Sequence, residues 1–354
     1  MKSKTLKRVV ELLIICLLLT LYAFLIKDVI VLSGNKILSI AICFVGFIAT
    51  IFLSSLFHEL GHLVFALFSG LKIYSFTVLF LKLEFRAKKF PKIRLVFPNN
   101  FGDLELLPKK VENFSRKVFV STLGGAIFSL IYLAFGITML YVGSYYAYCI
   151  FGITFPITAY IFLVNVIPFS ENSDGGLLFN MLAGGKLKKV IENSLNATAN
   201  VILGVEPKDL DSRLLAEFTQ ECDIYSVRII YLRYLAYFRR DGERAIKELI
   251  TVCDSERLDE YFYTTIFKEL FYNAVINKDD AYVKANCEEA VNYLSYESHP
   301  SDYRIHAVYR LYTNEVEWAK LIVDEGEKKL PNFAEKGIVK QELECLKDIK
   351  LQFN

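Results

Sequence analysis

Residues 37–69 read ILSIAICFVGFIATIFLSSLFHELGHLVFALFS. An apolar helix needs about 20 residues to cross a bilayer, and this run exceeds that. Near its end it carries His58-Glu59-Leu60-Gly61-His62. Helical residues four apart lie on one face, so both imidazoles can bind one metal ion. Neutral imidazole nitrogens suit Zn²⁺, and Glu59 is placed to act as general base on a water molecule. The plainer alternative is a helix end whose His and Glu merely meet the membrane interface. Against it, ionisable side chains at membrane depth are costly and mark functional sites.

Working outward, three more apolar runs reach spanning length, at about 9–33, 118–142 and 146–168. The charge pattern orients them. MKSKTLKR at the start is basic, the 70–117 segment holds 11 Lys and Arg, and the stretch around Gly143–Tyr145 holds none. By the positive-inside rule this predicts four spans with both termini cytoplasmic. Residues 1–185 carry 17 Lys and Arg against 9 Asp and Glu; residues 186–354 carry 24 against 30. Two opposed halves exclude a single soluble globule, a disordered chain and a fibre. The basic excess lies between apolar runs, which argues against nucleic acid as partner. Seven Cys, an odd number with no CxxC spacing, argue against a disulfide framework or a thiolate zinc site. Free thiols in the acidic half fit a reducing compartment.

Within 70–117 the period changes. The run 72–86 is rich in β-branched and aromatic residues, a second run covers Ile93–Phe97, and AKKFPK lies between them. This predicts a membrane-associated β-hairpin over about 72–97. The acidic half reads as all helix, with segments at 209–240, 243–254, 256–277, 281–296, 303–329 and 334–353. The aromatic stripes in YLRYLAYFRR and EYFYTTIFKELFY are read as core. Paired helices of this kind are similar to a tetratricopeptide array, although no 34-residue signature repeats. The fold class expected is mainly α: a polytopic membrane protein with about four transmembrane helices, a small β-hairpin and a C-terminal all-α cytoplasmic domain. The expected domains are 1–36 (first span and outer loop), 37–185 (catalytic membrane domain) and 186–354 (helical domain).

A catalytic zinc site needs a third protein ligand. His299 and His306 fall in the acidic half and are expected at its surface. The better candidate follows the fourth span in Asn165-Val-Ile-Pro-Phe-Ser-Glu-Asn-Ser-Asp174-Gly-Gly. Asp174 precedes two glycines, where the chain can turn sharply. Loop charges alone place it on the same side of the bilayer as the HELGH end of the second span. Glu171 is the alternative ligand. Gly124-Gly125 in the third span is read as plain helix packing.

HELGH in a membrane helix, followed by Asn-x-x-Pro and Asp-Gly-Gly closing a later span, resembles the site-2 protease family of intramembrane zinc metalloproteases over residues 37–180. The resemblance implies a three-helix catalytic core and one Zn²⁺ per chain. It implies His58, His62 and Asp174 as ligands, Glu59 as catalytic base and Asn165 as a substrate-binding residue. It further implies that the hairpin holds substrate extended. The expected activity is hydrolysis of a peptide bond in or near a membrane-embedded peptide or single-span protein. Regulated intramembrane proteolysis, or processing of a small signalling or bacteriocin peptide, is the setting. The expected location is a bacterial cell membrane, with the bilayer and a cytoplasmic protein bound by the helical domain as partners. The competing reading is a zinc-binding membrane scaffold or immunity protein with little proteolysis; the intact Glu59 speaks for the enzyme. A transporter is disfavoured, because there is no repeat and no charged pathway beyond the zinc residues.

Overall fold

The structure, a computed structural model, describes residues 2–33, 36–85, 91–96, 102–142, 144–168, 173–216, 223–253, 260–294 and 299–353. It is mainly helical, and the chain divides into two compact units: Met1–Lys109 with Arg116–Ala183, and Lys110–Ser115 with Gly184–Asn354.

In the first unit, α1 (Lys2–Ser33) and α2 (Lys36–Phe68) precede strands β1 (Lys72–Val78), β2 (Leu81–Glu84), β3 (Lys92–Leu95) and β4 (Gly102–Leu107). Then come α3 (Phe114–Val142), the short α4 (Tyr145–Ala147), a π-helical turn at Tyr148–Gly152, α5 (Phe155–Val166) and α6 (Asp174–Ala183). Four stretches are long and apolar enough to cross a membrane: Val9–Lys27, Ile37–Phe68, Phe114–Val142 and Tyr148–Val166.

Two local devices bring α2, α3 and α5 together. Gly61 and Gly124 face each other across α2 and α3: a methyl group on Gly61 would stand 2.2 Å from the Gly124 carbonyl oxygen. Only paired glycines let the backbones approach so closely. Between α2 and α5 the glue is hydroxyl: Thr50 Oγ1 donates to Thr154 Oγ1 at 2.7 Å, and Ser54 and Thr158 share a bond of 3.2 Å. Thr50, Ser54, His58 and His62 recur every fourth residue. One face of α2 therefore holds both the seam to α5 and the two imidazoles.

The expected hairpin over 72–97 is corrected to a four-stranded antiparallel sheet in the order β3-β2-β1-β4. The first run does not extend straight to residue 86. It folds back at Leu79, which adopts φ 49°, so that Val78 pairs with Leu81 and Ser75 with Glu84. Such a two-residue turn needs positive φ, usually supplied by Gly or Asn, and a leucine there hides the signal. The fourth strand, β4, pairs with β1 from Lys72–Leu107 to Val78–Gly102 across an irregularity between Ile73 and Ser75. Its sequence, GDLELL, mixes charge and Leu without β-branched residues and gives little strand signal.

The second unit is helical throughout its regular structure: α7 (Gly185–Ile202), α8 (Ile224–Tyr237), α9 (Gly242–Cys253), α10 (Glu260–Ile276), α11 (Asp280–Leu294), α12 (Ser301–Tyr312), α13 (Val316–Lys329) and α14 (Lys336–Lys350), with short 3-10 turns. Consecutive helices α8–α9, α10–α11 and α12–α13 pack on one another. The expected helix over 209–240 is replaced by 3-10 turns at Pro207–Asp209 and Ser212–Leu215 before α8 begins. The helix expected over 303–329 breaks at Asn314, which sits in the left-handed region at φ 60°. Asn tolerates that conformation, and it ends a helix there. The aromatic stripes are largely core: Tyr231, Tyr234, Phe262, Phe267 and Phe271 are buried, whereas Tyr263 reaches the surface.

His299, expected at the surface, is buried. It joins a polar network linking α8, α10, α12 and α14. Arg304 stands between Glu269 (Nη2 to Oε1, 2.9 Å) and Glu342 (Nε to Oε2, 2.8 Å), while Tyr234 donates to Glu269 Oε2 at 2.7 Å. Lys268 pairs with Asp302 at 2.5 Å.

Candidate metal centre

His58 and His62 stand one turn apart in α2, 5% and 8% exposed, with Glu59 at 6%. Such burial rules out polar groups simply resting at an interface. Asp174 is the first residue of α6. Ser173 caps that helix, its hydroxyl accepting from the Gly176 N–H at 3.2 Å, and a carboxylate in the first turn is favoured by the helix dipole. The Asp-Gly-Gly segment thus starts a helix and is not the sharp turn read from the sequence. Gly175 is required for a different reason: a methyl there would meet the Val166 carbonyl oxygen at 2.3 Å. The start of α6 tucks against the end of α5, and Asp174 is aimed at α2.

Three ligand atoms meet. His58 Nε2 and His62 Nε2 each lie 2.9 Å from Asp174 Oδ2, and 3.0 Å from each other. Among the described residues this is the only group of three or more His, Cys, Asp or Glu whose ligand atoms converge in this way. The protonation of His62 follows from its far side. Its Nδ1 faces the Ser121 carbonyl oxygen at 3.0 Å, a pure acceptor, so Nδ1 carries the hydrogen and donates it. In the neutral ring, Nε2 then offers a lone pair. His58 Nδ1 shares a hydrogen bond of 2.9 Å with Ser129 Oγ, which also leaves Nε2 turned inward. Two imidazole nitrogens and one carboxylate oxygen facing one another make a set of ligand atoms that a metal ion could take. Tetrahedral zinc with N and O ligands at about 2.0–2.1 Å has donors about 3.3 Å apart, near the observed spacing. The donor set therefore fits a zinc ion.

Span α3 forms the back wall. Ser121, Gly125 and Ser129 lie at four-residue steps on one face. Ser121 accepts from His62 Nδ1, Ser129 meets His58, and Gly125 leaves room for the His62 ring, whose Cε1 would lie 2.4 Å from any methyl placed there. The sequence reading of Gly124-Gly125 as helix packing holds for Gly124 and misses Gly125. The four-residue spacing of Ser, Gly and Ser in an apolar helix was the available signal.

On the other side stands β4. A methyl on Gly102 would lie 2.3 Å from Glu59 Oε1, so the strand backbone runs directly against the Glu59 carboxyl. Glu59 Oε2 has no hydrogen-bond partner among the described residues. Asn165 is half-buried in the last turn of α5, next to the Val166 carbonyl on which Gly175 rests. Glu171 lies outside the described residues. No protein-family model, no curated protein and no solved structure matches the chain.

Proposed function

We propose that the protein is an intramembrane zinc metalloprotease that hydrolyses a peptide bond in or near a transmembrane segment of a membrane-bound peptide or single-span protein. The observation that carries this reading is the convergence of three lone-pair donors from α2 and α6 beside a buried Glu59 with one oxygen unpartnered. The resemblance to the site-2 protease family points the same way. The four apolar helices are read as spans with both chain ends cytoplasmic, as the loop charges imply. The helical unit, similar to a tetratricopeptide array, is read as a cytoplasmic module that binds a protein partner.

The residues divide the work. His58, His62 and Asp174 would hold the ion. Zinc, when bound, supplies a Lewis acid that acidifies water and polarises a peptide carbonyl. Glu59 takes the proton of the attacking water at Oε2 and returns it to the departing amine nitrogen. Asn165, at the end of α5, is read as a contact for the substrate backbone. A peptide bond inside a helix is shielded by its own hydrogen bonds, so substrate must unwind before attack. Among the described residues β4 has a partner strand on one side only. Pairing along its other edge replaces the hydrogen bonds lost on unwinding, and the face of β4 at Gly102 lies against Glu59.

The test is cleavage of a model transmembrane peptide by the purified, zinc-loaded protein, with zinc content measured in parallel. Glu59→Gln is expected to lower turnover by at least about 100-fold while leaving zinc stoichiometry at one per chain. Equal cleavage by parent and variant would reject the assignment. Zinc binding without any cleavage would favour a scaffold.

A further inference from the structure

Side chains alternate across a strand, so Gly102 and Asp103 of β4 address opposite faces of the sheet. Gly102 faces Glu59; Asp103 stands on the other face, in register with Thr77 of β1, and is exposed. Its neighbour on that face, Glu105, is engaged by Lys82 of β2, with Nζ to Oε1 at 3.0 Å. Among the described residues no ion pair closes on Asp103; Lys82, bonded to Glu105, acts on it only from a distance. The strand that presses on the general base thus carries, one residue away, a carboxylate open to an incoming chain.

An extended peptide on the edge of β4 that has no partner strand among the described residues obeys the same alternation. If the residue at the scissile bond lies beside Gly102, the next side chain along the peptide falls on the face of Asp103. Opposite charges across neighbouring strands attract. The sheet's position sharpens the point, because only 69–71 separate α2 from β1. The substrate section that reaches β4 is therefore the margin of a span, and cytoplasmic margins are rich in Lys and Arg.

We propose that Asp103 is a specificity-determining residue that selects a lysine or arginine next to the scissile residue of a substrate extended along β4. This rests on the protease reading above. The peptide bond cut is then the one beside the first basic residue at the cytoplasmic margin of the substrate's span.

The experiment uses the full-length, zinc-loaded protein in lipid vesicles. The probe is a mixture of synthetic transmembrane peptides randomised over the residues flanking the apolar segment, and the products are sequenced by mass spectrometry. The parent is expected to enrich Lys and Arg at one position adjoining the cut by about two- to five-fold. Asp103→Asn is expected to flatten that preference, and Asp103→Lys to turn it toward Asp and Glu. If the lysine variant does not fold, the near-isosteric Asn variant decides alone. Cleavage that depends on Glu59 yet shows no basic preference, or keeps it in the Asn variant, overturns the role of Asp103 and leaves the protease reading intact. No cleavage above the Glu59→Gln control removes both.

Discussion

Each unit of this protein buries a cluster of ionisable side chains, and the two clusters are built on opposite principles. In the helical unit, Arg304 lies between two carboxylates and Lys268 against a third. Donors meet acceptors: two cations, Arg304 and Lys268, stand against the carboxylates of Glu269, Glu342 and Asp302. In the membrane-type unit, two imidazole nitrogens, of His58 and His62, meet one carboxylate oxygen, of Asp174. The two imidazoles are buried as Arg304 and Lys268 are, while Asp174 is partly exposed, so burial by itself does not mark a functional site. What separates them is the kind of group brought together: guanidinium and ammonium against carboxylates in the first, two imidazoles and one carboxylate in the second. The first cluster joins four helices; the second brings together donor atoms that could hold a metal ion.

That contrast can be broken by experiment. The largest effect is expected for Asp174→Ala, which deletes one of three ligands. Stoichiometric zinc should be lost, as read by elemental analysis after dialysis, while the helices remain as judged by circular dichroism. Retention of one zinc per chain would mean that the lone pairs converge for another reason. Next is Arg304→Met, which leaves Glu269 and Glu342 buried without their cation. Breaking a buried pair from one side costs about 3–5 kcal/mol. Hydrogen exchange should accelerate in α8, α10, α12 and α14 while zinc content stays at the parent value. A loss of zinc in this variant would show that the clusters are coupled.

Smaller again is Ser129→Ala. Groups that orient a ligating imidazole typically contribute about 10–100-fold in metal affinity. A competition titration with a zinc chelator measures this, and an unchanged affinity would demote Ser129 to packing.

The smallest effect concerns His299. Burial first, then Lys268, Arg228 and Arg304, push its pKa well below the ordinary 6.5. Once unfolded, the ring takes a proton below that value; in the folded state it does not. Its contribution to stability is therefore present above about pH 6.5 and declines as pH falls, by at most about 1.4 kcal/mol per pH unit. Exchange protection of α12 should drop between pH 6.5 and 5.5 in the parent and drop less in His299→Gln. Parallel curves would remove His299 from the acid response.

His58, Glu59 and His62 were legible from sequence because four-residue spacing on an apolar helix fixes a shared face, and because charge in an apolar run stands out; Asp174 was a candidate, beside Glu171, only from its place after the fourth span and from the family resemblance. The α3 wall was not. Ser121, Gly125 and Ser129 are small residues that look like ordinary helix packing until their partners are known. Nor was β4, whose Leu and acidic residues lack strand preference and whose pairing with β1 spans 102–107 against 72–78. His299 was misplaced because composition assigns a histidine in a charged segment to the surface.

The sequence by itself determined the four apolar helices, the paired imidazoles and their neighbouring carboxylate, since helical periodicity and hydropathy are local properties. Only the tertiary structure decided that Asp174 opens a helix aimed at those imidazoles, that α3 fixes the His62 tautomer, and that β4 lies against Glu59. Each of these depends on contacts between residues far apart in the chain, where a missing methyl group, as at Gly125, Gly175 and Gly102, carries the information and local propensity carries none.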